Sequence, residues 1–196
     1  MLTVELRPSL KDGALMKERL AVIRDQDDSF PLDYRSCVVL KPWGFEFQMF
    51  DDRQHAVWLL CIKPGEATSL HCHQHKTAVF VPLKGAVVVK TLEQDHPLGD
   101  AMICHPCVFH SLANETEDDI YVLEIESPSI KRDLIRASDK YDRQDIGYEG
   151  NMHIVRQDLE RFGYVHFGED EVVECFGVQI IVTPAGFSIR RKVENA

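Results

Sequence analysis

Short runs of β-branched, aromatic and aliphatic residues recur through the middle of this 196-residue chain, separated by glycine, proline, asparagine and aspartate. Such runs, bounded by turn-forming residues, are typical of β-strands. Their short and regular spacing predicts an antiparallel sandwich or barrel rather than an alternating βαβ protein. The predicted strands are Ser36–Leu40, Gly44–Asp51, Ala56–Lys63, Thr68–Cys72, Ala78–Leu83, Ala86–Thr91, Ala101–Cys104, Phe109–Ala113 and Ile120–Glu126.

The segments that flank this β-rich region have a different pattern. Residues 12–24 place apolar side chains near helical spacing, with Asp12 as the expected cap, and therefore predict a short N-terminal helix. After Ser127-Pro128-Ser129, the charged stretch Ile130–Tyr141 is compatible with a second helix. We therefore expect an N-terminal helical arm over residues 1–35, a barrel over 36–130, and a helix plus a β-rich C-terminal extension over 131–196.

The tail contains further β-type runs, and the sequence leaves their placement open. Their strands would complete the sheets of the barrel or cross to a partner subunit. The predicted strands of the tail are Gly163–Phe167, Val172–Phe176, Val178–Thr183 and Phe187–Arg191.

Composition excludes several classes of function. The formal net charge of −10 disfavours nucleic acid as a partner, because phosphate binding needs a basic surface. No apolar run approaches the roughly 20 residues that a membrane span needs. The first 11 residues lack the apolar segment of a secretory signal, and the six cysteines lack the spacing of a disulfide scaffold. We therefore expect a cytoplasmic protein with reduced thiols.

Histidine is concentrated in one part of the chain, since six of the nine histidines fall between residues 71 and 110. His71 and His73 are two residues apart, so on a strand both imidazoles point to one face and Cys72 to the other. A third ligand from a neighbouring strand would complete a site for a first-row metal, and His110 is the natural candidate. Taken alone, the His-x-His pair is also compatible with a polar barrel interior.

The residues around these histidines resemble the two motifs of the cupin superfamily, G-x5-H-x-H-x3–4-E-x6-G and G-x5-P-x-G-x2-H-x3-N. The first motif corresponds to GEATSLHCHQHKTAVFVPLKG, from Gly65 to Gly85, and the second to GDAMICHPCVFHSLAN, from Gly99 to Asn114. The resemblance implies an all-β cupin fold, a double-stranded β-helix or jelly roll, with a divalent transition metal on His71, His73 and His110. It also implies a homodimer, because cupin barrels commonly pair through their sheets.

Three positions depart from the cupin pattern. The motif glutamate would fall at Thr77 or Ala78, and neither residue can replace a carboxylate ligand; His105 and Cys107 stand in place of the proline and glycine of the second motif. A three-histidine face remains, joined by His75 or by water. Without the carboxylate, a bound metal has higher net charge and an open position, which favours Lewis-acid chemistry. The alternative is a degenerate barrel that binds no metal.

Three stretches resemble the cupin domain of type II mannose-6-phosphate isomerases and related sugar-nucleotide proteins. Pro42-Trp43-Gly44 is similar to their opening, Ser69-Leu70 precedes the histidines as in their signature, and Asp133 to Arg143 resembles their closing segment. The resemblance covers about residues 38–145. It implies a sugar or sugar phosphate as the small-molecule ligand and metal-assisted isomerisation or epimerisation as the reaction.

The reaction needs a base, an electrophile and groups that hold an anion. We expect His75, Lys76 and Glu124 to be the catalytic residues. Glu124 and Glu126 share strand parity, so both are candidates for the base, as is a histidine, although both glutamates could equally face solvent. The candidates for phosphate or carboxylate binding are Lys76, Lys84, Arg136 and Arg143.

Two other functions remain open from the sequence. A three-histidine cupin can bind ferrous iron and act as a dioxygenase. A non-catalytic sugar-binding or sensing barrel would explain the missing glutamate. Zinc, manganese, nickel and iron are all compatible with the three imidazoles.

Overall fold

The computed structural model describes residues 3–22, 34–35, 37–143, 154–155, 172–183 and 186–191. Within these ranges the chain forms one helix and sixteen strands. The elements are β1 (Thr3–Leu6), α1 (Leu10–Leu20), β2 (Val38–Lys41), β3 (Gly44–Asp51), β4 (Ala56–Ile62), β5 (Leu70–Cys72), β6 (Thr77–Lys84), β7 (Val88–Thr91), β8 (Asp95–Pro97), β9 (Ala101–Cys104), β10 (His110–Ala113), β11 (Ile120–Ser127), β12 (Ile135–Ser138), β13 (Ile154–Val155), β14 (Val172–Cys175), β15 (Val178–Thr183) and β16 (Gly186–Arg191).

Two sheets form the body of the protein and confirm the predicted all-β jelly-roll class. The larger sheet has the order β1-β9-β6-β11-β4-β3-β2-β13, and the smaller one has the order β12-β5-β10-β7-β8. Apart from the parallel pair of β1 and β9, the strand pairs are antiparallel. All nine strands predicted over 36–126 are present, with bounds shifted by at most two residues.

The larger sheet is buried on both faces. Along β4 and β11, side chains alternate between an inner cluster, which includes Trp58 and Val122, and an outer cluster, which includes Leu59 and Leu123. Strands covered on both faces become continuously apolar, which explains the seven buried residues of β4. Ile180 of β15 belongs to the outer cluster, so the three-stranded sheet β14-β15-β16 covers this face.

The N-terminal helix is confirmed, but its cap differs from the predicted one. Ser9 is the N-cap, and Asp12 is the third helical residue, whose side chain accepts a hydrogen bond from the Ser9 main chain in a capping box. Asp12 also accepts a hydrogen bond of 2.8 Å from the main-chain N–H of Phe109. This buried carboxylate therefore fastens the helix to the segment that leads into β10.

The predicted helix over 130–141 is wrong. Ile135–Ser138 forms strand β12, which pairs with β5 at Ile135↔Cys72 and Arg136↔His71. The charges that suggested a solvated helix surface are instead buried: Asp133 and Arg136 are 8% and 4% exposed. Of the tail, residues 163–167 lie outside the described residues, whereas the three predicted strands from Val172 onward are present.

Gly44 explains the Pro42-Trp43-Gly44 turn between β2 and β3. Its φ is 148°, and a Cβ at this position would lie 2.0 Å from the main-chain oxygen of Cys61. Only glycine fits this close approach of two strands. The turn places Trp43 in the inner core and on the wall of the pocket described next.

Candidate metal centre and pocket

Three imidazoles converge on the inner side of the smaller sheet. His71 lies in β5, His110 lies opposite it in β10, and His73 follows directly after β5. The ring centroids are 4.9 Å apart for His71 and His73, 4.6 Å for His71 and His110, and 5.3 Å for His73 and His110. One nitrogen from each ring lies within 4.8 Å of the other two. The structure thus brings the three predicted ligands together.

Hydrogen bonds at Nδ1 set the tautomer of each ring. Nδ1 of His71 lies 2.8 Å from the main-chain oxygen of Ser69, that of His73 lies 2.5 Å from Asp133, and that of His110 lies 2.9 Å from Val108. A carbonyl oxygen only accepts, so each Nδ1 carries the proton and donates it. Each Nε2 therefore keeps its lone pair, which is the arrangement of a metal-ligating histidine.

The Nε2 atoms lack partners that would explain their burial. Nε2 of His73 and of His110 is buried without a hydrogen-bond partner among the described residues. A buried acceptor left unpaired costs about 1–3 kcal/mol, so two of them side by side require compensation. A divalent transition metal such as zinc, manganese, nickel or iron fits this donor set and satisfies the lone pairs.

The electrostatics of the three histidines favour the neutral, ligating form. Burial lowers the pKa of His71 well below its usual value, with a further contribution from His110. Burial and then the Lys76 ammonium lower the pKa of His73 well below its usual value. Burial also lowers the pKa of His110. No proton has to leave these rings at neutral pH before they bind a cation.

Two carboxylates face the histidines from the larger sheet. Glu124 and Glu126 lie on the inner face of β11, opposite Phe80 and Ala78 of β6. Oε1 of Glu124 is 3.8 Å from Nε2 of His73. The strand that should carry the motif glutamate thus has Ala78, while carboxylates project from the adjacent strand. The uncertainty over whether Glu124 and Glu126 face solvent is resolved, since both are less than 9% exposed.

A chain of buried charges extends from Glu126 along the larger sheet. Lys76 donates a hydrogen bond to Oε1 of Glu126. Lys131 lies 3.9 Å from Glu126 and 3.2 Å from Glu46, and Lys41 lies 3.4 Å from Glu46. Burial disfavours the charged form of Lys131, but the carboxylates of Glu126 and Glu46 outweigh it and raise the pKa of Lys131. Each of the three lysines in this row of buried charges thus lies beside a carboxylate.

Between the two sheets lies a pocket that joins the histidines to these charges. Five basic and three acidic side chains line it, so their formal sum is +2 before any metal is counted, whereas the whole chain carries −10. The basic side chains are Lys41, Lys76, Lys131, Arg136 and Arg143; the acidic ones are Glu46, Glu124 and Glu126. Such a pocket favours anionic ligands.

Not every predicted site residue lines this pocket. Lys76, Glu124, Arg136 and Arg143 do. His75 is exposed, and its main-chain N–H donates to Asp133. Lys84 lies over the ring of Tyr121, at 6.0 Å from the centroid. His75, which we expected to be catalytic, thus lies at the surface and not among the residues that line the pocket.

Sequence reasoning missed three charged residues of the pocket, Lys41, Glu46 and Lys131. Lys41 and Glu46 have the strand parity of the inner face, and that parity was the available signal. Lys131 falls in the stretch that is compatible with a helix, yet its ammonium lies 3.5 Å from the centroid of the Trp58 ring. Its position depends on the segment between β11 and β12, which carries no periodic pattern.

The family model for the mannose-6-phosphate isomerase C-terminal domain matches residues 32–139. A search of curated proteins gives no match.

The helix α1, the one helix among the described residues, is not long and apolar enough to cross a membrane.

Several solved structures are similar to this chain. A sugar phosphate isomerase of the cupin superfamily from Silicibacter pomeroyi is 16% identical, over 71% of this chain and 68% of that one, with a TM-score of 0.39. KdgF from Halomonas sp. is 18% identical, over 46% of this chain and 84% of that one, with a TM-score of 0.44. TT1209 from Thermus thermophilus is 24% identical, over 45% of this chain and 90% of that one, with a TM-score of 0.41.

Proposed function

This chain belongs to the family of mannose-6-phosphate isomerase C-terminal cupin domains, and from that premise we propose that it is a metal-dependent isomerase or epimerase of a sugar or sugar phosphate. The observation that carries the proposal is the convergence of three buried histidine rings beside the Glu124 carboxylate in a cationic pocket. The geometry combines a cation site, a base and groups for an anionic ligand.

The metal is assigned to His71, His73 and His110. A divalent ion bound there supplies Lewis-acid polarisation of a carbonyl and a neighbouring hydroxyl oxygen. All other steps belong to the residues of the chain.

Glu124 is the proposed base. Its carboxylate takes the proton from the carbon next to the substrate carbonyl, and the electron pair of that C–H bond forms an enediolate. For isomerisation, this proton is delivered to the adjacent carbon while the hydroxyl proton passes from one oxygen of the enediolate to the other, so that carbonyl and hydroxyl exchange places. For epimerisation, the proton returns to the opposite face of the carbon that it left, and the original carbonyl forms again. The ammonium of Lys76, held by Glu126, offsets the negative charge that develops on the substrate oxygens.

Arg136 and Arg143 are the proposed anion-binding residues, because both line the pocket and guanidinium groups bind phosphate and carboxylate through paired N–H bonds. His75 is retained as a catalytic candidate at the surface. We also propose a cytoplasmic homodimer, which light scattering after gel filtration tests.

One observation favours a second function, a ferrous dioxygenase. The three histidines form a possible ligand group made of nitrogen donors alone, while a second group joins His73 to the carboxylates of Glu124 and Glu126 within the same 4.8 Å limit. Such a set leaves coordination positions open for oxygen and substrate on iron. A sugar-binding barrel without turnover is the third possibility. Metal identity and turnover separate these functions.

The test is elemental analysis of protein purified without added metal, followed by activity assays. We compare wild type with His73→Ala and, as a matched control, with His55→Ala, which removes a half-buried imidazole in the turn between β3 and β4. We expect near-stoichiometric zinc, manganese or nickel in wild type and His55→Ala, its loss in His73→Ala, and isomerisation of a sugar phosphate. Iron with oxygen uptake would favour the dioxygenase; metal-free wild type without turnover would leave the binding barrel.

A further inference from the structure

Asp133 makes four hydrogen bonds to the turn that carries His73, one of the three proposed ligands. Its carboxylate accepts from the main-chain N–H groups of Gln74, His75 and Lys76, at 2.7, 2.8 and 2.9 Å. Its main-chain oxygen accepts from Nδ1 of His73 at 2.5 Å. One residue thus binds the backbone of the turn and the imidazole that the turn presents.

The two partners are 57 to 60 residues apart in sequence, so this arrangement joins separate parts of the fold. Asp133 lies between β11 and β12, is 8% exposed, and donates its own N–H to the oxygen of Ile130 at 3.0 Å. Three N–H groups offset the charge of its buried carboxylate. The carboxylate fixes residue 133 against the turn. The main-chain oxygen of Asp133 is thereby held at a defined position beside the His73 ring.

We propose that Asp133 is the positioning residue of the metal centre: it fixes the tautomer and direction of His73 and the start of the Lys76 side chain. The inference rests on the proposed metal function and extends it to a residue that touches neither metal nor substrate. A neutral imidazole without this partner distributes its proton between both nitrogens, and the form with Nε2–H presents no lone pair to the site. The same carboxylate also fixes the main chain of Lys76, since the N–H of Lys76 is the third donor to Asp133.

Asp52 provides a matched control for a merely structural role. Its carboxylate also closes a turn, between β3 and β4, by accepting from the main-chain N–H groups of Gln54 and His55 at 2.9 and 2.6 Å. That turn carries none of the three converging histidines. Asp52→Asn therefore removes the same kind of charge from the same kind of turn, away from the pocket.

The experiment uses two readouts on the full chain, with Asp133→Asn beside Asp52→Asn and wild type. The first is ¹⁵N NMR of the histidine rings in chelator-treated protein, with His73 assigned through His73→Gln. The second is a Co²⁺ titration followed by visible absorption. Asp133→Asn keeps the main-chain oxygen but weakens the contacts that hold it in place. We therefore expect mixed His73 tautomers, an altered cobalt spectrum and a cobalt affinity reduced by up to about 10–100-fold, the range for outright loss of such a partner. Asp52→Asn should match wild type in both.

Asp133→Glu, which keeps the charge but lengthens the side chain, gives a second variant if Asp133→Asn does not fold. We expect a smaller change in the same direction. Unchanged tautomer and cobalt affinity in a folded Asp133 variant would overturn the inference while the metal site stands. A wild type that binds no cobalt would overturn the proposed metal function, whereas the tautomer comparison would still decide whether Asp133 orients His73.

Discussion

Oε1 of Glu124 lies 3.8 Å from Nε2 of His73, and the Glu124 carboxylate accepts no hydrogen bond from the residues that the structure describes. The contrast with Glu126, two residues further along β11, is direct, because Oε1 of Glu126 accepts from Lys76. A buried carboxylate without a donor needs a cation or a ligand for compensation. The two glutamates therefore differ in their partners: Glu126 holds a lysine, whereas Glu124 faces a histidine, which suits the proposed role of Glu124 as the base.

Glu124→Gln removes the proposed base and keeps the volume of the side chain. We expect kcat to fall about 10²–10⁴-fold, the usual contribution of a general base, while metal content stays near that of wild type. Glu117→Gln, at an exposed position, serves as the control. Full activity in Glu124→Gln would exclude Glu124 as the base, and loss of metal would reassign it as a ligand.

The strand pattern of the sequence predicts the barrel well, for a physical reason. The inner and outer faces of β4 and β11 are both buried, so apolar runs such as Ala56–Ile62 mark whole strands. The parity of His71 and the position of His110 likewise follow from strand geometry, because a two-residue repeat fixes the face. These features depend on residues close together in the sequence, and the local pattern is therefore enough to predict them.

The remaining features depend on contacts between distant segments. β12 was predicted as helix because Arg136 and its neighbours are charged, yet the pocket itself buries that charge. β8, the three-residue Asp95–Pro97, lacks an apolar pattern. The bond from His73 to Asp133 spans 60 residues, and spacing along the chain cannot indicate it. The functional site thus violates the polarity rules by which its strands would be recognised.

The pair of Lys76 and Glu126 provides a test of stability. Their side chains are 1% and 2% exposed, so removing one partner leaves the other charge buried. We expect Lys76→Met to lower the free energy of unfolding by about 3–5 kcal/mol, and Lys76→Met/Glu126→Leu to recover much of that loss. Urea denaturation of wild type, both single variants and the double variant measures the coupling. A double variant as unstable as the sum of the single ones would contradict direct pairing.

Gly44 gives a prediction for the backbone. Gly44→Ala would place Cβ 2.0 Å from the oxygen of Cys61, at a φ of 148°, so we expect no stable fold or a large fall in melting temperature. Gly99→Ala meets no atom within 4 Å and serves as the matched control. Circular dichroism melts of both variants decide the matter. A Gly44→Ala protein with the melting temperature of Gly99→Ala would contradict the close approach of β3 and β4.

The buried histidines make the metal-free protein sensitive to acid. Burial lowers the pKa of His71, His73 and His110 in the folded state, so below pH of about 6.5, the usual value for an unfolded chain, the unfolded state binds more protons. Stability is therefore independent of these groups well above pH 6.5 and is lost as the pH falls below it, by at most about 1.4 kcal/mol per pH unit for each histidine. Urea unfolding of chelator-treated protein between pH 7.5 and 5 measures the slope. His73→Gln should reduce that slope by up to about 1.4 kcal/mol per pH unit, the contribution of one bound proton. The carboxylates contribute equally to the slopes of both proteins. An identical slope in wild type and His73→Gln would show that His73 is charged or solvated in the folded state, and with it that Nε2 does not carry the free lone pair on which the metal site depends.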